Sequence, residues 1–327
     1  METIQQILPA IQAQALRRTF ASRRGEVEAV AGIDLVVATG AIFGFLGPNG
    51  AGKTTTLRML ATLLPPTSGE ATVVGADLRH EPRKVRQRIG YVGQQGGADR
   101  SLEGRTELVF QGLLYGMRRS DAERRAAELI EALELSACAD RRTETYSGGQ
   151  RRRLDVALGL MHRPSLLFLD EPTTGLDPQS RARMWDEVRR LGEQGTTVFL
   201  TTHYLEEADA LCDRLAIIDH GRIVSEGTPE TLKREIAGDV VTLSVDGDQA
   251  AAAALLRGQR FVRGEEPLVA EADAIRVYVD QGRTAIPLIF RVLEGGGMGV
   301  RAISMSRPSL DDVFLRRTGR SLREEAA

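Results

Sequence analysis

Ala41-Ile42-Phe43-Gly44-Phe45-Leu46-Gly47-Pro48-Asn49-Gly50-Ala51-Gly52-Lys53-Thr54-Thr55 is the stretch that decides the fold. An apolar run of strand length meets a cluster of glycines. Behind Lys53, apolar and polar residues alternate at helical spacing as far as Leu64, before Pro65 and Pro66 impose a turn. Strand, glycine loop and helix in that order satisfy the phosphate-binding loop pattern. Glycines at 47, 50 and 52 let backbone N–H groups face phosphate oxygens, and the helix N-terminus adds a favourable dipole. Lys53 is expected to put its ammonium on the β- and γ-phosphates of a nucleotide, and Thr54 its hydroxyl on the accompanying Mg2+.

Far downstream, Leu166-Leu167-Phe168-Leu169-Asp170-Glu171 is an apolar strand ending in two carboxylates, the form of a Walker B segment. Asp170 is expected to hold magnesium, and Glu171 to face the γ-phosphate as the general base for water. Other strands are predicted at Gly32 to Val37, Thr196 to Thr201 and Leu215 to Ile218, with a helix from Pro178 to Leu191. Between them, Thr106 to Leu135 reads as two helices broken near Ser120-Asp121, either of which is able to cap the second. Strands alternating with helices imply an α/β fold with a mixed, largely parallel sheet and a helical insertion.

Tyr146-Ser147-Gly148-Gly149-Gln150 lies between the glycine loop and the acidic strand. Here the chain resembles the ATP-binding cassette (ABC) family of transporter ATPases, whose signature motif matches the Ser-Gly-Gly-Gln core. Tyr146 replaces the leucine commonest at its first position. The resemblance implies a P-loop core that binds ATP and Mg2+ and works as a dimer. In that dimer Ser147, Gly148, Gly149 and Gln150 of one copy close over the γ-phosphate held by Gly47, Pro48, Asn49, Gly50, Ala51, Gly52, Lys53, Thr54 and Thr55 of the other. It implies further that Gln94, with Gln95 beside it, is the Q-loop glutamine that senses magnesium and the attacking water. Asp177 in Thr174-Gly175-Leu176-Asp177 matches the D-loop aspartate, and Asp177-Pro178 is also an ordinary helix start. His203 matches the switch histidine that contacts the γ-phosphate. Phe20 lies where the family carries an aromatic that stacks on adenine. The run Arg151-Arg152-Arg153 reads as a solvated face or as partners for carboxylates.

The C-terminal Pro308-Ser309-Leu310-Asp311-Asp312-Val313-Phe314-Leu315, with Thr318-Gly319, is similar to the end of daunorubicin-resistance ATPases. That branch implies a nucleotide-binding subunit of an exporter. A separate integral-membrane subunit provides the path, and drugs, antibiotics or lipid-like molecules are the candidate cargo. In the wider family the region after the Q-loop, Gly96 to Met117, receives the membrane partner, and Val109, Leu113, Leu114 and Tyr115 offer apolar surface there or form the insertion's own core. The protein is then expected at the cytoplasmic face of the membrane. The alternative is a non-transport ATPase of the same family acting on ribosomes or nucleic acid. Such proteins generally carry paired cassettes, coiled-coil insertions or zinc sites.

Composition agrees with the first reading. The 327 residues carry 43 basic and 45 acidic side chains, so no global charge draws the chain to nucleic acid. Two cysteines, Cys138 and Cys212, are too few for a disulfide framework. No stretch approaches the roughly 20 apolar residues of a membrane-spanning helix, and the first residues, with Glu2 and several glutamines, are not expected to act as a signal peptide. The length suggests about two domains. We expect an extension at 1–12, an ATPase domain at 13–235 with its helical subdomain at about 96–162, and an accessory domain at 236–327. The last reads βαββαβ, compatible with a ferredoxin-like unit: strand Val240 to Val245, helix Asp248 to Leu256, hairpin Leu268 to Val279, helix Thr284 to Glu294 and strand Val300 to Met305.

Overall fold

A computed structural model describes residues 8–22, 25–236, 238–263, 269–270 and 274–319. The chain divides into two compact units after Thr228. In the first, elements follow in the order β1 (Ile11–Ser22), β2 (Gly25–Val37), β3 (Ile42–Leu46), α1 (Lys53–Leu60), β4 (Ser68–Val73), β5 (Ala76–Asp77), α2 (Pro82–Arg88), β6 (Ile89–Val92), α3 (Gly104–Leu114), α4 (Arg119–Ala132), α5 (Gly148–Leu160), β7 (Leu166–Asp170), α6 (Pro178–Glu193), β8 (Thr197–Thr202), α7 (Leu205–Leu211), β9 (Arg214–Asp219) and β10 (Arg222–Gly227).

Two sheets build this unit. One has the strand order β10-β9-β3-β8-β7-β6, parallel throughout except for β10 on β9. Its central strands β3, β7 and β8 are buried at every residue, as continuous apolar runs require of a sheet covered on both faces. The other is antiparallel, β2-β1-β4-β5, and half of it faces water: β2 begins with four exposed residues and alternates only near its end. Ile11, Leu16, Ile33 and Val73 of that sheet join Phe43, Phe168 and Phe199 of the first, with Leu57 and Leu60 of α1, in one core.

Several expected boundaries move. β1 starts at Ile11, because Ala10 and Ile11 are buried and Ile11 pairs with both Val37 and Val73, so no separate extension reaches residue 12; residues 1–7 lie outside the described residues. α1 ends at Leu60, short of Leu64, where Thr62 takes a φ of 62°. The two helices of the insertion part at 115–118, where Gly116 takes a left-handed φ of 81°. Ser120 and Asp121 therefore lie inside α4 instead of capping it, and Asp121 pairs with Arg124.

The second unit runs α8 (Pro229–Glu235), β11 (Asp239–Val245), α9 (Gln249–Leu256), β12 (Val269–Ala270), β13 (Ile275–Val279), α10 (Gly282–Gly295), β14 (Val300–Ser306) and α11 (Leu310–Thr318). Its antiparallel sheet has the order β12-β13-β11-β14, the strand order of a ferredoxin-like βαββαβ unit. Leu268, expected in the hairpin, lies outside the described residues. Ala252, Leu256, Ile289 and Leu293 of α9 and α10 pack on Val241, Leu243 and Val277 of the sheet. The unit begins at α8 and not after 235, because α8 packs on α11, where Arg316 donates to the Glu235 carbonyl and Arg317 pairs with its carboxylate. No helix among the described residues is long and apolar enough to cross a membrane.

Candidate nucleotide site

β3, β7 and β8 are neighbours in one parallel sheet, so their carboxyl ends open on the same edge. The glycine loop leaves β3, Asp170 and Glu171 end β7, and His203 follows β8. Residues far apart in sequence thereby meet. The loop itself needs its glycines: Gly52 has a φ of 104°, and a Cβ there would lie 2.5 Å from the Ala29 carbonyl oxygen. Pro48 and Ala51 are buried under the loop, whereas Asn49 and Gly50 are exposed on it.

Lys53 is 4% exposed and donates to the carbonyls of Gly47 at 2.8 Å and Pro48 at 2.9 Å. Burial pushes its pKa down, against the opposing pull of Glu171 and Asp170. Its Nζ is 3.4 Å from Glu171 Oε1, and His203 Nδ1 is 3.3 Å from the same oxygen. The other carboxylate oxygen, Oε2, accepts from Gln94 Nε2 and from Thr174 Oγ1, each at 3.1 Å. Burial works to raise the Glu171 pKa, but the adjacent His203 imidazole, the Lys53 charge and the Thr174 hydroxyl outweigh it, pulling the carboxyl down to about 2. Glu171 is thus ionised, on a backbone whose φ is 46°.

Asp170 is fully buried; its Oδ1 accepts from Thr54 Oγ1 at 2.9 Å and Thr201 Oγ1 at 2.7 Å. Its Oδ2 is buried with no hydrogen-bond partner among the described residues. A buried carboxylate oxygen without a partner, next to a threonine hydroxyl, is a donor set that fits a hard divalent cation. Gln94, not its neighbour Gln95, is the glutamine whose amide reaches this cluster. Thr55 is half-buried on the first turn of α1.

Ser147 and Gly148 are exposed at the start of α5, away from this cluster of contacts. Ser147 Oγ accepts from Gln150 N at 3.2 Å and Gln150 Oε1 accepts from Ser147 N at 2.9 Å, a complete capping box. Gly149 is buried against α6, where a Cβ would come within 2.7 Å of Ser180 Oγ. Asp177, exposed, caps α6 by accepting from Ser180 N at 2.9 Å and Ser180 Oγ at 2.6 Å. Phe20 is 36% exposed on β1 with the Arg18 guanidinium 4.6 Å from its ring centroid, so it is an outward aromatic and not a core residue.

Arg152 and Arg153 are buried, so the solvated-face alternative fails for them, and the apolar face of α3 is led by Phe110, which is 53% exposed. Of the apolar residues expected there, Leu113, Leu114 and Tyr115 are exposed while Val109 is half-buried.

Comparison with known proteins gives this geometry its family. Residues 30–174 match the ABC transporter family, and residues 227–318 match the C-terminal domain of DrrA1-3-like ATP-binding proteins. A daunorubicin resistance ATP-binding protein, DrrA2 of Streptomyces coeruleorubidus, is 44% identical over 311 residues, 95% of each chain. A Nod factor export ATP-binding protein of Rhizobium is 38% identical, covering 96% of this chain and 98% of the relative. Among solved structures, the dimeric structure of a bacterial ABC transporter cassette superposes with a TM-score of 0.62 at 25% identity, over 67% of this chain and 98% of the cassette. The chain therefore belongs to the ATP-binding, ATP-hydrolysing subunits of ABC transporters, in the daunorubicin/doxorubicin-resistance branch.

Proposed function

We propose that two copies of this chain bind two ATP molecules head to tail and use closure and hydrolysis to drive export through a separate integral-membrane subunit at the cytoplasmic face. The observation that carries the reading is the convergence of Lys53, Gln94, Thr174 and His203 on the single carboxylate of Glu171. In this reading Gly47 to Thr55 cradle the phosphates, Phe20 stacks on the base, and Ser147 to Gln150 with Asp177 complete the site of the other copy.

Thr54, Asp170 and Gln94 would hold Mg2+, which when bound neutralises developing phosphate charge. Glu171 orients the attacking water and takes its proton. The contacts on the carboxylate define how. Lys53 and His203 hold Glu171 as a weak base; once phosphate oxygens take the Lys53 ammonium, the cation that helps to depress the carboxyl pKa is withdrawn and its basicity rises. His203 stays close enough to donate to a γ-phosphate oxygen on the same side.

The membrane subunit would sit in a groove of about 490 Å³ lined by Ala61, Tyr91, Gly96, Phe110, Leu114 and Asp155. Apolar side chains at its rim, Phe110 and Leu114, match an apolar helix end better than a nucleic acid, which needs basic surface. In keeping with relatives that serve daunorubicin resistance and Nod factor export, the cargo would be a drug, antibiotic or lipid-like molecule carried by the membrane subunit. The test is mass: with Mg-ATP, Glu171→Gln should elute at twice the 35.7 kDa of one chain, and without nucleotide at once. A monomer at saturating Mg-ATP would remove the shared-site reading.

A further inference from the structure

Arg152 and Asp155, one turn apart on α5, have no part in the hydrolytic roles above, although both are buried. The Arg152 guanidinium is a three-way fork. Nη1 donates to the Gly93 carbonyl at 2.6 Å, Nη2 to the Asp170 carbonyl at 2.9 Å and Nε to the Pro172 carbonyl at 2.9 Å. The last two carbonyls lie on either side of Glu171, whose φ of 46° falls in a region costly for a residue with a Cβ. The fork therefore holds both shoulders of the strained residue and, with its third arm, the residue just before Gln94.

Asp155 takes the other end of the same loop. Its Oδ1 accepts from Gly97 N at 2.9 Å and Ala98 N at 3.1 Å. Gly96, at a φ of 74°, approaches so closely that a Cβ would lie 2.5 Å from Asp155 Oδ2. Segment 93–98 is thus gripped at both ends by one helix, and Gln94 within it donates to Glu171.

We propose that Arg152 and Asp155 are positioning residues for hydrolysis, a clamp that fixes the loop carrying Gln94 to the backbone carrying Glu171. A buried guanidinium that loses one carbonyl leaves both groups unsatisfied, so the fork resists sliding of loop against strand. The clamp also ties both to α5, the helix that Ser147 caps. Gly93, Gly96, Gly97 and Asp155 line the groove assigned to the membrane subunit, so displacement there reaches Glu171 through these contacts. The inference rests on the role proposed above for Gln94.

Steady-state ATPase kinetics of the full chain separate the two. Asp155→Ala should lower kcat by roughly ten- to a hundredfold with KM within about twofold, because the loop is misplaced while the phosphate cradle is intact. Asp155→Asn, whose amide oxygen still accepts, should keep most of the rate. Gly96→Ala, which pushes a methyl against the carboxylate without removing it, should reproduce Asp155→Ala and covers the case in which that variant does not fold. Adding Asp155→Ala to Gln94→Ala should cost nothing further, since the group being positioned is gone. Amide exchange at Gly97 and Ala98 should quicken in Asp155→Ala. If Gln94→Ala is slow and Asp155→Ala slows it again by its full factor, the clamp is overturned and the role of Gln94 stands. If Gln94→Ala turns over at the wild-type rate, the role of Gln94 falls and the clamp with it.

Discussion

The ammonium of Lys53 lies 3.4 Å from the carboxylate of Glu171, so the cation offered to a phosphate is the one that helps to hold the carboxylate ionised. Charge binding and water activation are therefore linked, and the two residues should fail differently. Lys53→Ala should weaken ATP binding more than tenfold, the loss of one charge-assisted contact to phosphate. Glu171→Gln should leave ATP affinity near the wild-type value and lower phosphate release by about a hundredfold or more. Fluorescent-nucleotide titration and phosphate release measure the two; equal turnover in Glu171→Gln would remove the general-base role.

The depressed Glu171 pKa carries a sign. Its folded value of about 2 lies below the ordinary 4.5, so its charged contacts stabilise the fold fully above about pH 4.5 and are lost as pH falls towards 2. The gross contribution is on the order of 3 kcal/mol. Melting of wild type and Glu171→Gln compared from pH 7 to pH 3 should show the wild-type advantage shrinking only below about 4.5. An advantage already lost at pH 6 would mean that the carboxylate is not held this way.

Glu207 shifts the other way. It is fully buried on α7, with Trp185 Nε1 donating to Oε1 at 3.2 Å and no hydrogen-bond partner on Oε2 among the described residues. Burial pushes its pKa up, against the opposing pull of the polar groups around it, Trp185 Nε1 among them. A raised carboxyl pKa means stability present below about 4.5 and lost as pH rises through the folded value. Glu207→Gln should therefore raise the melting temperature of the nucleotide-binding unit by a few degrees, more at pH 8 than at pH 5. No gain at pH 8 would show that the ionised form is well accommodated.

Gly149 touches the start of α6. A methyl there would press on Ser180, whose hydroxyl is 2.6 Å from Asp177. Gly149→Ala should leave single-chain ATP binding unchanged, since no contact of Lys53 or Asp170 is altered, and lower turnover about tenfold. Unchanged turnover would separate this junction from the hydrolytic step.

Phe110 tests the groove. Phe110→Asp replaces an exposed apolar ring on α3 without touching the cluster at Glu171, so ATPase of the isolated chain should stay within about twofold. Co-purification with the proposed integral-membrane subunit should be lost. Retained assembly would move the docking surface elsewhere.

What local pattern reveals here is what local pattern causes. The buried run Ile42 to Leu46 breaking into glycines, and the run Leu166 to Leu169 ending in two carboxylates, could be read because each motif's residue types follow from its own neighbours. The antiparallel sheet was less legible: β1 is twelve residues of mixed polarity with shifts in register near Gln14, and one of its faces is wet, so the alternation that marks a strand is blurred. The setting of Arg152 is not legible locally for another reason. Its carbonyl partners are supplied by Gly93, Asp170 and Pro172, and no window around residue 152 contains them. Exposure of Phe110 is not legible locally either, because exposure of one apolar residue on a helix depends on what the rest of the fold leaves uncovered.

The capping box of Ser147 and Gln150 closes on itself within one chain. An anion delivered by a second copy would meet a finished seat, with the serine already turned at the helix start and nothing left to fold. Such a surface adds no waiting period of its own. The tempo of repeated closure would then be governed from across the interface, by how long the loop around Lys53 keeps its triphosphate and how soon it lets the products go.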